Sequence, residues 1–181
     1  MPPLLLLWAL LGGPAEAAAP TEAGVRVLLK VLSYDRALRE RQTDGEHLVV
    51  GVAFDPSDPI SAANGAEVTS ALRSLKGTTV SGLVLVEPSA LPEGRTSWPD
   101  ALKGVSAVVA CQGVDLAALS AAAADVDRPV LSLTDVGAGQ GAAVALGLRQ
   151  ARLHILLDRN RALDQGMDPS GELLEVAELV Q

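Results

Sequence analysis

One pattern narrows the possible folds of this chain more than any other. Near-continuous apolar runs, each the length of a strand, alternate with single stretches of helical periodicity. His47-Leu-Val-Val-Gly-Val-Ala-Phe54 is the clearest run, and it lacks the polar/apolar alternation of a half-exposed strand, so both its faces must be buried. Gly82–Val86, Val105–Cys111, Val130–Thr134 and Leu153–Leu157 repeat the theme. Between them, Thr21 to Arg41 carries Val25, Leu28, Leu29 and Leu32 at helical spacing. Asn64 to Leu75 places Val68, Ala71, Leu72 and Leu75 on one side, and Gly77 stops it. Leu116–Ala124 is an alanine-rich helix, and Trp98–Leu102 is a short helix within the loop Pro88–Lys103. Such alternation predicts a single α/β domain whose mostly parallel sheet is covered by helices on both faces.

The C-terminal third adds a glycine-rich hairpin and two short helices. Gly137-Ala-Gly139-Gln-Gly141 is expected to join Val130–Thr134 to Ala143–Leu148, with a turn into Arg152–Leu157. Asp158 caps a helix over Arg159–Gln165 that Gly166 ends, and Ser170 caps a second helix with Leu173, Leu174, Ala177 and Val180 on its apolar face.

The N-terminus argues for export. Leu4–Leu11 has the length of a signal-peptide apolar region, broken by Gly12-Gly-Pro14. Ala15-Glu-Ala17 fits the small-x-small rule, so residues 1–17 are expected to be a cleaved signal peptide, with Ala19 as the alternative cut. No lysine or arginine precedes the run. An α/β domain over residues 20–181 would then act in the periplasm.

Composition excludes some functions. Aromatic residues make up 2% of the chain, and the formal charge is −8. An acidic chain without a basic cluster or stacking platforms is a poor nucleic-acid binder and a poor ligand for anionic membranes.

Chemistry-bearing patterns are few. Gly137-x-Gly139-x-x-Ala142 matches a dinucleotide-binding fingerprint, with Asp158 at the ribose-binding distance, which would make the chain a nucleotide-dependent enzyme. Against it stand Asp135 beside the phosphate position, Gly147 within the stretch left for the helix, and the export signal. His47 and His154 lack ligand-spaced partners and read as strand residues, so no metal is expected. Asp55, Asp58, Asp125 and Asp127 read as turn and cap residues. Cys111 is the single cysteine and excludes an internal disulfide; it reads as a small buried residue at a strand end. No catalytic, cofactor-binding or metal-binding residue is assigned.

Pro129-Val-Leu-Ser-Leu-x-Asp135, Gly141, Arg152-x-x-Ile155-x-x-Asp158, Gly166, Ser170, Leu173-Leu174 and Ala177 together resemble the YfiR-like family of small periplasmic proteins. Upstream, Ala71-Leu72, Leu75, Gly77-Thr78, Val80 and Gly82 are similar to that family's helix-to-strand passage. Ile155 and Asp158 stand where the family has phenylalanine and asparagine, and Cys111 alone cannot form the disulfides of better-known members. The resemblance implies a non-enzymatic regulator, able to dimerise, that binds the periplasmic part of an inner-membrane signalling protein such as a diguanylate cyclase. The second reading is a small-molecule-binding module with its ligand near Asp55–Pro59 and Asp135–Gly141, at the C-terminal ends of the strands. The third is the nucleotide-dependent enzyme.

Overall fold

In the computed structural model, which describes residues 21–42 and 45–180, most of the apolar runs become strands of one large sheet. The expected signal peptide, residues 1–17, lies outside the described residues. The chain begins with α1 (Thr21–Leu32), then β1 (His47–Leu48) and β2 (Val50–Phe54), α2 (Pro59–Ser74), β3 (Thr79–Val80), β4 (Leu83–Leu85) and β5 (Ser89–Pro92). It continues through α3 (Trp98–Leu102), β6 (Ala107–Ala110), α4 (Leu116–Asp125) and β7 (Val130–Ser132) to a 3-10 turn at Asp135–Gly137. It ends with β8 (Val144–Arg149), β9 (Arg152–Asp158), α5 (Arg159–Asp164), α6 (Gly171–Val176) and β10 (Glu178–Val180).

The main sheet has the order β10-β9-β8-β7-β6-β2-β5. All neighbours are parallel except β8 and β9, so the mixed α/β class with a mostly parallel sheet stands. A smaller sheet, β1-β4-β3, sits at the N-terminal ends of β2 and β5, because β1 leads into β2 and β4 leads into β5.

Burial on both faces explains the unbroken apolar runs. Val50, Val52, Val109 and Leu131 face one layer, where Leu28, Leu32, Val68 and Leu72 of α1 and α2 close the core. Ala53, Val108, Ala110 and Val130 face the other, against Leu102 of α3 and Leu119, Ala122 and Ala123 of α4. Alternate residues of β2, β6 and β7 thus serve opposite layers, and Ser132 at the end of β7 is the one polar side chain in these three strands.

Several elements depart from the sequence reading. The first helix ends at Leu32, not Arg41. Its last turn tightens, with the Ser33 N–H donating to Leu29 O and Lys30 O at 3.2 and 3.0 Å. The chain then turns Asp35 inward to an ion pair with Arg41, both side chains buried. The helix expected from Asn64 starts earlier, at Pro59, because the Asp58 carboxylate caps it by accepting the Ile60 N–H at 2.9 Å. Ser89–Pro92, read as loop, pairs with β2 at the sheet edge, where a proline is tolerated.

The C-terminal hairpin exists, but the glycines are not its turn. β7 and β8 pair in parallel, so Leu133–Ala143 is a crossover. The hairpin joins β8 to β9 through Gln150 and Ala151, both at positive φ, +51° and +61°. The last helix stops at Val176 rather than reaching Val180, because β10 finds an open partner edge on β9.

Candidate functional site

The strand order fixes where a site can form. Along β5-β2-β6-β7-β8 the chain first steps outward from β2 to β5 and then reverses to β6. α2 leaves the C-terminal end of β2 toward one face, and α4 leaves β6 toward the other. In open α/β sheets, ligands occupy the crevice that such a reversal leaves at the C-terminal ends of the strands.

A cleft of about 250 Å³ lies at that edge. Asn64 and Val68 of α2 form one wall, and the Ala110–Val114 segment after β6, with Leu116, forms the floor. Ser132–Thr134 after β7, with Val136, Gly137 and Gln140 of the glycine segment, forms the other wall.

Local chemistry holds these walls. Gly113 sits at φ +92°, and a Cβ there would lie 2.7 Å from Asp58 Oδ2, so only glycine lets the β6 loop pass beneath the α2 cap. Ser132 Oγ donates to Thr134 O at 2.9 Å and accepts the Thr134 N–H at 3.2 Å, which fixes the turn after β7. Ser61 Oγ accepts the Asp55 N–H at 2.9 Å, tying the end of β2 to α2. The glycine segment is anchored from below by Gln165, which is fully buried. Its Nε2 donates to Gly141 O at 2.8 Å and to Ser120 Oγ at 3.0 Å, and its Oε1 accepts the Val130 N–H at 2.8 Å. Gly141, at φ +127°, crosses so close to α4 that a Cβ would lie 3.0 Å from Leu116 O.

The sequence-derived sites fall as follows. Val136, Gly137 and Gln140 line the cleft, so Asp135–Gly141 contributes as the ligand-module reading expects. Asp55–Pro59 does not line it; Asp58 caps α2 behind Gly113, and α2 presents Asn64 and Val68 instead. Asp55 accepts the Ser57 hydroxyl and N–H at 2.7 and 2.8 Å, and these bonds hold its carboxyl below the usual carboxylate range.

The dinucleotide fingerprint is corrected. Its glycines are followed by the strand β8, so no helix N-terminus is available for a pyrophosphate, and Asp158 caps α5 by accepting the Arg161 N–H at 3.0 Å. The physical reason is pairing: Val144–Arg149 completes a six-residue ladder with β9 instead of coiling into a helix. His47 and His154 lie in β1 and β9, and among the described residues no group of three His, Cys, Asp or Glu side chains could hold a metal ion.

Cys111 borders the cleft one residue beyond β6, and burial pushes its thiol up to about 12. A thiol at that value holds very little thiolate at neutral pH. In the folded protein, Cys111 should therefore react with iodoacetamide at pH 8 at least about tenfold more slowly than in denaturant. Mass-spectrometric alkylation kinetics would show it, and equal rates in the two states would refute the assignment.

Asn64, Gln112 and Gln165 are not among the site residues the sequence points to. Gln112 carried a usable signal, since it follows a buried strand at its C-terminal end. Gln165 carried none: each of its partners lies 24 to 45 residues away.

The arrangement defines an α/β domain with a ligand-sized cleft at the C-terminal edge of its sheet. No protein-family model matches the chain, and no curated protein matches it. Solved structures do. A conserved domain protein from Vibrio cholerae O1 biovar El Tor superposes with a TM-score of 0.59 at 11% identity, over 90% of this chain and 60% of that one. The ABC domain from Streptococcus pneumonia, in complex with L-Trp, gives 0.58 at 12% identity, over 90% and 62%. The ligand-free, open structure of a substrate-binding protein with adhesive properties from Clostridium difficile gives 0.53 at 12% identity, over 76% and 55%. The chain thus spans less than two thirds of the length of these neighbours, and the likeness is one of fold.

Proposed function

We propose that this chain is a small-molecule-binding domain of the solute-binding kind, with its ligand in the cleft beyond β6 and β7. The observation that carries the reading is the cleft itself, at the strand-order reversal, walled by α2 and the glycine segment. Two structural neighbours support it: one is described with bound L-Trp, the other as a substrate-binding protein. The leader-like Leu4–Leu11 run supports action outside the cytoplasm. Regulation of an inner-membrane signalling protein, and dimerisation, rest on the YfiR-like resemblance alone.

Thermal unfolding against a panel of amino acids, sugars, amides and nucleosides tests the reading. A ligand present at a hundred times its Kd stabilises the folded state by about 2.7 kcal/mol. At least one solute should raise the midpoint saturably, and Asn64→Trp, which fills the cleft from a partly exposed helix position, should abolish that gain while leaving the protein folded. If nothing on the panel stabilises the protein, the ligand-binding reading falls and the regulator with a protein partner replaces it.

A further inference from the structure

The charge of the cleft decides what it can hold; this inference rests on the ligand-binding reading. Among the described residues, no Asp, Glu, Lys, Arg or His lines the cleft. Its polar side chains are the carboxamides of Asn64, Gln112 and Gln140 and the hydroxyls of Ser132 and Thr134. Burial keeps the Cys111 thiol protonated, so it too is neutral. Val68, Leu116 and Val136 supply apolar contact.

Helix dipoles do not supply the missing charge. α2 and α4 both start at this edge, and their positive N-termini would ordinarily attract an anion. Each is already capped by its own aspartate: Asp58 accepts the Ile60 N–H at 2.9 Å, and Asp115 accepts the Ala118 N–H at 3.0 Å. Further carboxylates, Asp55 after β2, Glu93 after β5 and Asp135 after β7, stand at the same ends of the strands. Their negative charge opposes an anion at that edge. A cation is drawn to the rim, but it would shed water inside without a counter-charge on the walls, and that loss is uncompensated.

We propose that the cleft selects an uncharged polar solute, held through hydrogen bonds from the Asn64, Gln112 and Gln140 carboxamides and through apolar contact with Val68, Leu116 and Val136. Its volume, about 250 Å³, exceeds the roughly 150 Å³ cavity that accommodates benzene, which suits a single substituted ring. A free amino acid, with a carboxylate and an ammonium, meets no counter-charge on these walls.

Matched ligands that differ only in charge provide the test. Benzamide, benzoate and benzamidine, with the corresponding pyridine and indole series, would be titrated into the full chain while NMR follows the backbone amides of Gly113, Thr134 and Gln140. The carboxamides should bind at least about tenfold more tightly than their carboxylate and amidinium counterparts. Gln112→Glu places a carboxylate on the floor at an exposed position, and it should reverse the preference between carboxamide and amidinium. A carboxylate or amidinium that binds the unaltered cleft as tightly as its carboxamide overturns the charge assignment and leaves the ligand-binding reading standing. If no member of any series shifts those amides, the selection proposed for this cleft is overturned, while the ligand-binding reading falls only if the thermal panel fails as well.

Discussion

Replacing Asp35 with alanine should cost about 3–5 kcal/mol of folding stability, the range measured when one member of a buried ion pair is removed. The Asp35 side chain is fully buried, and that of Arg41 is nearly so. The carboxylate accepts the Arg41 guanidinium on Oδ2, and on Oδ1 it accepts the Ala37 N–H at 3.0 Å and the Asp168 N–H at 2.9 Å. Arg41 also donates to Gly166 O at 2.6 Å, so the pair fastens the chain after α1 to the segment between α5 and α6. Alanine would strand the Arg41 charge and two backbone donors. The stranded charge would also face Arg128, whose pKa is already lowered by burial and then by Arg41. Urea unfolding provides the measurement. Asp35→Asn keeps the Oδ1 acceptor and should cost less than alanine. A loss below about 1 kcal/mol, the worth of an exposed pair, would show that water reaches this site.

That ion pair also shows why the first helix misled the sequence reading. The apolar spacing of Val25, Leu28, Leu29 and Leu32 identified the helix and its buried face correctly. Its end could not be read locally, because the group that makes a buried Asp35 tolerable includes an N–H 133 residues further along the chain. β2 and β6 were legible because burial on both faces leaves no polar residue in the run, and α5 and α6 because Asp158 and Ser170 stand at their N-caps. β5 and β10 were not. Ser-Ala-Leu-Pro resembles a turn, and Glu178–Val180 continues a helical spacing until the open edge of β9 captures it. The glycine fingerprint failed for the same reason: a short apolar run does not say whether it will coil or pair, and β9 decided it. The site was half legible. The rule that ligands sit at strand ends pointed to Asp135–Gly141, whereas Asn64 lies inside the expected helix, where nothing in its spacing shows that it borders a cleft.

Gln165→Leu is expected to destabilise the protein by about 2–5 kcal/mol and to loosen the glycine wall of the cleft. Leucine fills nearly the same volume, so the cost comes from hydrogen bonds rather than from a cavity. The substitution leaves the Val130 N–H and the Gly141 carbonyl buried without their partner, each at about 1–3 kcal/mol, and removes the donor to Ser120 Oγ. The effect should not be uniform across the fold. Val130 heads β7 and remains paired with β6, so the sheet persists. Gly141 is the point where the crossover from β7 to β8 is tied to the C-terminal end of α5, and Gly139, whose φ is +76° and where a Cβ would meet nothing within 4 Å, lies beside that tie. Hydrogen exchange should therefore accelerate at Gly139, Gln140 and Gly141 well beyond what global destabilisation accounts for, while Val108 and Val109 exchange only through global unfolding. Under the proposed ligand-binding function, affinity should fall with it, since Gln140 is one of the carboxamides on the wall. Equal acceleration at every amide would mean that Gln165 supports the whole core and has no particular hold on the cleft.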